Sequence, residues 1–151
     1  LKARRILIFG VGGSAAVASD VEHKFSRLGL DAAAYSDLNL QAIVSAYAKK
    51  EDVVFAISHS GSSKAVVDNA QIAKSNGATV ISLSSMGKSP LTELADISLF
   101  TSANETRYRI VAISSRIAEL TIIDALYSYM SFRTGNEENL KIEKAIEDQM
   151  Y

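Results

Sequence analysis

The sequence predicts an α/β protein built on a doubly wound, five-stranded parallel sheet in the order 2-1-3-4-5. Three observations lead there. Short apolar runs rich in Ile and Val alternate with longer amphipathic stretches, most junctions are marked by Gly or Ser, and a single proline interrupts the 151 residues. Buried runs of this length fit strands covered on both faces, and parallel strands need crossovers that lay helices over the sheet.

Taken in order, Ile6-Leu7-Ile8-Phe9 is a first strand closed by Gly10. Ala15 to Leu28 spaces Ala15, Val17, Ala18, Val21, Phe25 and Leu28 three or four residues apart, and Gly29 stops the helix. Asp31 to Tyr35 is a second strand. Asn39 to Ala48 repeats the helical pattern through Leu40, Ile43, Val44 and Tyr47, with Lys49 and Lys50 at its negative end. Val53 to Ile57 is the clearest buried strand, and a serine-rich loop then leads to a helix carrying Ala65, Val66, Ala70, Ile72 and Ala73 up to Gly77. Thr79 to Leu83 is a fourth strand, a short helix opens after Pro90, and Ile97 to Phe100 is a fifth strand. Tyr108 to Phe132 is one long helical stretch, apolar around most of its circumference, so one face is expected on the sheet and the other on a partner subunit. After Gly135, Asn136 to Met150 reads as a charged amphipathic helix.

Composition bounds the function. With 151 residues and 48% hydrophobic content the chain supports one core and one domain, residues 1–151. Sixteen basic against 17 acidic residues give a net charge of -1, which leaves no basic stripe for a nucleic-acid backbone, so this chain is not expected to bind DNA alone. The absence of cysteine excludes disulfides and thiolate metal sites and points to the cytoplasm. No apolar run is long enough for a membrane span. Neither a cofactor nor a metal is called for: His23 and His59 form no metal pattern, and G-x-S-x-G, H-E-x-x-H and Walker sequences are absent.

Two loops carry the chemistry. Gly10-Val11-Gly12-Gly13-Ser14 sits between a buried strand and a helix start, where unpaired N–H groups and the helix dipole favour an anion. Ser58-His59-Ser60-Gly61-Ser62-Ser63 occupies the same place after the third strand, and its four hydroxyls can donate to phosphate or sugar oxygens, with Lys64 adding charge. In the flavodoxin-like order the first and third strands are neighbours whose connections leave in opposite directions, so both loops line the crevice where open α/β sheets bind ligands. Glycine and serine also serve plain turns and caps, with Ser14 and Ser63 as N-caps. Gly10, Gly12 and Ala15 satisfy a dinucleotide-binding pattern as well, with Asp31 or Asp37 near the ribose position, although that reading leaves the hydroxyls of the second loop unexplained. His59 is either a general acid/base or a loop residue facing solvent or a partner, and His23 is expected on a helix flank.

These two loops resemble the signature loops of sugar isomerase (SIS) domains, over nearly the whole chain. Within that superfamily, Asp20-Val21-Glu22-His23-Lys24-Phe25 with Leu28-Gly29, and Ser114-Ser115-Arg116-Ile117-Ala118-Glu119-Leu120 with Ile123-Asp124-Ala125-Leu126, are similar to the effector domain of RpiR-type transcription regulators. The resemblance implies a phosphosugar sensor, in a dimer or higher oligomer formed through Tyr108 to Phe132, joined to an N-terminal helix-turn-helix domain that binds DNA. That domain is expected to be missing from this chain, whose first residue is Leu1. Carried over by position, Ser58, Ser60 and Ser63 hold the phosphate, Ser14 contacts sugar or phosphate, and Gly61 keeps the turn open. Gly12, Gly13 and His59 line the ligand, and Ser62 stands where many relatives have an acidic residue. Glu105, before Arg107 and Arg109 in the loop ahead of the long helix, is read either as a contact to sugar hydroxyls or as a surface charge. Enzymes of the superfamily move protons with a glutamate and often a histidine from later loops or a neighbouring subunit. No histidine follows His59, so a sensor is preferred over a ketose–aldose isomerase, and a dinucleotide-binding module ranks third.

Overall fold

The computed structural model describes residues 3–102 and 113–134, together with residues 141, 144, 145 and 147. The chain runs β1 (Ile6–Phe9), α1 (Gly13–Arg27), β2 (Ala32–Tyr35), α2 (Leu38–Ala46), β3 (Val53–Ile57), α3 (Lys64–Ser75), β4 (Thr79–Ser85), α4 (Pro90–Leu94), β5 (Ile97–Thr101) and α5 (Ile113–Thr134). All five strands pair in parallel in the order β2-β1-β3-β4-β5, as the sequence predicts.

Alternation along each strand divides the apolar side chains between two cores. Ile6 and Ile8, Phe55 and Ile57, and Leu83 face α1 (Val17, Val21, Phe25) and α5 (Ile123, Met130). Leu7 and Phe9, Val54 and Ala56, and Val80 face α3 (Val66, Ala70, Ala73) and Leu91 of α4. Each large side chain so buried contributes about 1.5–3 kcal/mol relative to exposure. Phe25 and Phe55 meet edge to face at 6.1 Å between ring centroids, which fixes α1 on β3.

The amino edge of the sheet is tied by Asp52. Its buried carboxylate accepts from Arg4 Nε (2.9 Å) and Nη2 (2.7 Å) and from the Lys49 backbone N–H (2.9 Å). Burial pushes the Asp52 carboxyl up, but the Arg4 hydrogen bond, the Lys49 N–H and the charges of Arg5 and Arg4 outweigh it and hold the group below its ordinary value.

α2 departs from its sequence pattern. The stripe of Leu40, Ile43 and Tyr47 is present, yet Ile43 is 52% and Tyr47 74% exposed, while Gln41 and Ser45 are fully buried. Hydrogen bonds make the burial of Gln41 possible: Gln41 donates to Tyr35 O (2.7 Å) and Asn69 of α3 donates to Gln41 Oε1 (3.3 Å), while Asn76 donates to the backbone carbonyl of Ser45 (3.0 Å).

The long helix is described from Ile113, so the expected start at Tyr108 lies outside the described residues, as does most of the predicted helix 136–150. Residues 141, 144, 145 and 147 of that segment are helical. Among the described residues no helix is long and apolar enough to cross a membrane.

Candidate functional site

Because Phe9 of β1 is in register with Ala56 of β3, the two loops leave adjacent strands at the carboxyl edge. Neighbouring strands lie about 4.8 Å apart, so the loops start side by side. Ser58 N–H donates to Leu83 O (3.0 Å) and Ser85 N–H to His59 O (2.8 Å), which extends the β3–β4 pairing into the second loop.

In the first loop, Gly10 is required by packing, since a Cβ there would stand 2.5 Å from the Ser14 carbonyl oxygen. Gly12 has φ 56°, and nothing lies within 4 Å of the place where its Cβ would be. It is the N-cap of α1 and supplies no side-chain cap, and no acidic residue stands in the first turn. The Ser14 and Ala15 N–H groups donate to Val11 O (3.1 Å) and Gly12 O (3.2 Å), so the positive end of the helix dipole is left at the exposed Gly12 and Gly13. Ser14, considered as an N-cap on sequence grounds, instead lies inside α1 and is half-buried.

In the second loop Ser58 is buried, His59 and Ser63 are half-buried, and Ser60 and Ser62 are exposed. Gly61 turns the chain with φ 62°, its N–H donating to Ser58 O (2.9 Å) and its carbonyl accepting from Leu91 N–H (3.0 Å). The Ser62 N–H donates to Ser60 Oγ at 3.2 Å, which sets the hydroxyls on one short arc. Ser63 is the N-cap of α3 by position, but its hydroxyl makes no cap hydrogen bond. Lys64, expected to add charge to the loop, turns along α3 instead and pairs with Asp68 (2.5 Å) on the exposed side.

The start of α5 closes over both loops. Arg116 Nη2 stands 3.5 Å from the position of a Gly13 Cβ, and Arg116 Nε is buried with no hydrogen-bond partner among the described residues. One turn on, Glu119 is 2% exposed and its Oε1 lies 4.0 Å from His59 Nδ1. Gly12, Gly13 and Ser14 thus follow β1, and Ser58, His59, Ser60, Gly61, Ser62 and Ser63 follow the neighbouring β3 at the same edge, while Glu105 lies outside the described residues. Sequence reasoning gave Arg116 and Glu119 no role. The available signal was a pair of opposite charges at i, i+3, which places both on one face of the helix.

The dinucleotide alternative loses its carboxylates. Asp31 sits at the amino edge, its carbonyl accepting from Ile6 N–H, and Asp37 is spent as the N-cap of α2, accepting from Leu40 N–H at 2.8 Å. Among the described residues no group of three or more His, Cys, Asp or Glu is arranged to hold a metal ion.

A five-stranded parallel sheet with two Gly/Ser loops at its switch point defines a doubly wound α/β domain, a class in which ligands generally bind at the carboxyl edge. The chain belongs to the SIS domain family, whose model matches residues 1–129. An HTH-type transcriptional regulator of Caldanaerobacter subterraneus is 44% identical over 135 residues, covering 89% of this chain and 48% of that protein. The HTH-type regulator YbbH of Bacillus subtilis is 41% identical over 132 residues, covering 87% of this chain and 47% of YbbH. The chain thus spans about half the length of these two relatives. Among solved structures, Vibrio vulnificus NanR complexed with ManNAc-6P is similar at 27% identity with a TM-score of 0.89, covering 99% of this chain and 56% of that one.

Proposed function

We propose that this chain is the phosphosugar-sensing domain of a transcription regulator, with a sugar phosphate held between the two loops. The observation that carries the reading is the side-by-side departure of the loops from β1 and β3 with α5 lying over both. The kinship with HTH-type regulators and with a NanR that carries ManNAc-6P supports it. Ser58, Ser60 and Ser63 are assigned to the phosphate, Ser62 to the same arc, and Ser14 with the amides of Gly12 and Gly13 to the sugar end. Glu105 is assigned to sugar hydroxyls. DNA contact belongs to a further, N-terminal domain of the whole protein.

Ligand binding would act through α5. This helix buries Ser115, Glu119, Ile123 and Met130 inward, while Ile117, Tyr129 and Phe132 stay exposed as the surface for a second copy. A ligand that contacts loops and helix together favours one packing of α5, and only such differential binding shifts a population.

Glu119 beside His59 favours one second reading, ketose–aldose isomerisation, because a carboxylate next to an imidazole can move a proton between sugar carbons. A coupled turnover assay separates the two. The sensor reading expects no turnover, whereas the isomerase reading expects turnover that Glu119→Gln abolishes. A thermal-shift panel of pentose, hexose, amino-sugar and N-acyl amino-sugar phosphates tests binding itself. A ligand at a hundred times its Kd stabilises by about 2.7 kcal/mol, so at least one member should raise Tm by several degrees. A flat panel would refute the reading.

A further inference from the structure

We propose that Arg116 makes the crevice selective for phosphorylated sugars that carry a second planar acyl oxygen, a carboxylate or an amide carbonyl, bound at the first loop while the phosphate sits in the second. The inference rests on the phosphosugar reading above and adds the class of sugar.

Three observations carry it. Among the described residues Arg116 Nε is buried without a hydrogen-bond partner, although buried donors in folded proteins are almost always paired. A guanidinium is a pure donor and stays charged, so only an acceptor can satisfy it. Secondly, that guanidinium is placed at the first loop, with Nη2 3.5 Å from the position of a Gly13 Cβ, beside a Gly12 whose own missing side chain would meet nothing within 4 Å. A Cβ at residue 13 would stand in ordinary van der Waals contact with the arginine, on the side from which a ligand would reach it, and the glycines at 12 and 13 leave that approach open. Thirdly, no acidic residue stands in the first turn of α1 to neutralise the field, and α5 offers Glu119 to the other loop, toward His59.

The two ends of the crevice therefore differ in chemistry. Four serines in the second loop suit the tetrahedral oxygens of a phosphate, which accept from hydroxyls in several directions. The planar fork of an arginine suits two acceptors in one plane, and a charged acceptor or a strong carbonyl dipole offsets a buried guanidinium better than a sugar hydroxyl does. With the phosphate taken by the second loop, the group that meets Arg116 is a different part of the same molecule.

Calorimetry on the chain as it stands tests this with two matched pairs. Glucose 6-phosphate against 6-phosphogluconate isolates a carboxylate, and glucosamine 6-phosphate against N-acetylglucosamine 6-phosphate isolates an amide carbonyl. The wild type should bind the acyl-bearing member of at least one pair about tenfold or more tightly, the scale of a hydrogen bond to a charged group. The pair that shows the ratio identifies the source. Arg116→Met should bring the two members of that pair within about twofold of each other, whereas Ser60→Ala should weaken both members alike and keep their ratio. Should the Met variant fail to fold, Arg116→Gln carries the same forecast. A ratio that survives the loss of Arg116 overturns the inference, and so does a wild type that binds the plain members as tightly as the acyl ones. Both results leave the phosphosugar reading standing. A wild type that binds no sugar phosphate sinks that reading and the inference with it.

Discussion

The Cβ that Gly61 lacks would stand 2.1 Å from Ser89 Oγ and 2.6 Å from Ser89 Cβ. The second loop is thus seated against the start of α4, where Ser89 and Thr92 form a capping box and Pro90 opens the helix. A serine that caps one helix sets the shape of the turn that presents Ser60 and Ser62.

Gly61→Ala should therefore be among the more damaging single-atom-group additions in the protein. It places an L-residue at φ 62° and drives its methyl into Ser89, so about 1–3 kcal/mol of stability should be lost. Urea unfolding measures this. An unchanged midpoint would show that the turn does not hold the shape described.

Asp52→Asn should be pH-dependent in its effect. The folded-state carboxyl lies below its ordinary value of 3.8, so its stabilisation is fully present above that pH and fades as the pH falls through the lowered value. The variant should lose roughly 1–2 kcal/mol at pH 7, low in the range for hydrogen bonds to charged groups because Arg4 is partly exposed. Thermal unfolding of both proteins should give midpoints that converge as the pH falls below 3.8 and through the lowered carboxyl value. A gap that persists until acid unfolds both proteins would contradict the assignment.

Self-association should depend on α5. Phe132 is 88% exposed and Ile117 60% exposed, so Ile117→Glu and Phe132→Glu should leave the monomer's stability within about 0.5 kcal/mol while separating the copies. Sedimentation equilibrium decides. A wild type that is monomeric at working concentration, or variants that stay dimeric, would move the interface elsewhere.

The sheet was legible in the sequence because burial on both faces forces runs such as Ile6 to Phe9 and Val53 to Ile57 to be apolar throughout, and crossovers then dictate parallel pairing. Gly10, Gly12 and Gly61 were legible as loop residues for a related reason: each meets a steric demand that few other residues satisfy. The orientation of α2 was not. Helical spacing of Leu40, Ile43 and Tyr47 identifies an amphipathic helix, but which side turns inward was decided by Tyr35 O, Asn69 and Asn76, distant groups that hydrogen-bond around Gln41 and Ser45. Arg116 and Glu119 escaped for the same cause. Their spacing puts them on one face, while their closeness to Gly13 and His59 comes from α5 packing against α1 and the sheet, a contact between segments more than fifty residues apart.

Titration calorimetry of the strongest ligand from the sugar-phosphate panel against the wild type and Ser60→Ala bears most directly on the paired-loop site. Ser60 is exposed and bonds only within its own loop among the described residues, so its loss should barely alter folding. The account predicts that Ser60→Ala weakens binding by about 1.5–3 kcal/mol, a loss of roughly tenfold to a hundredfold. Equal affinity in the two proteins would contradict it.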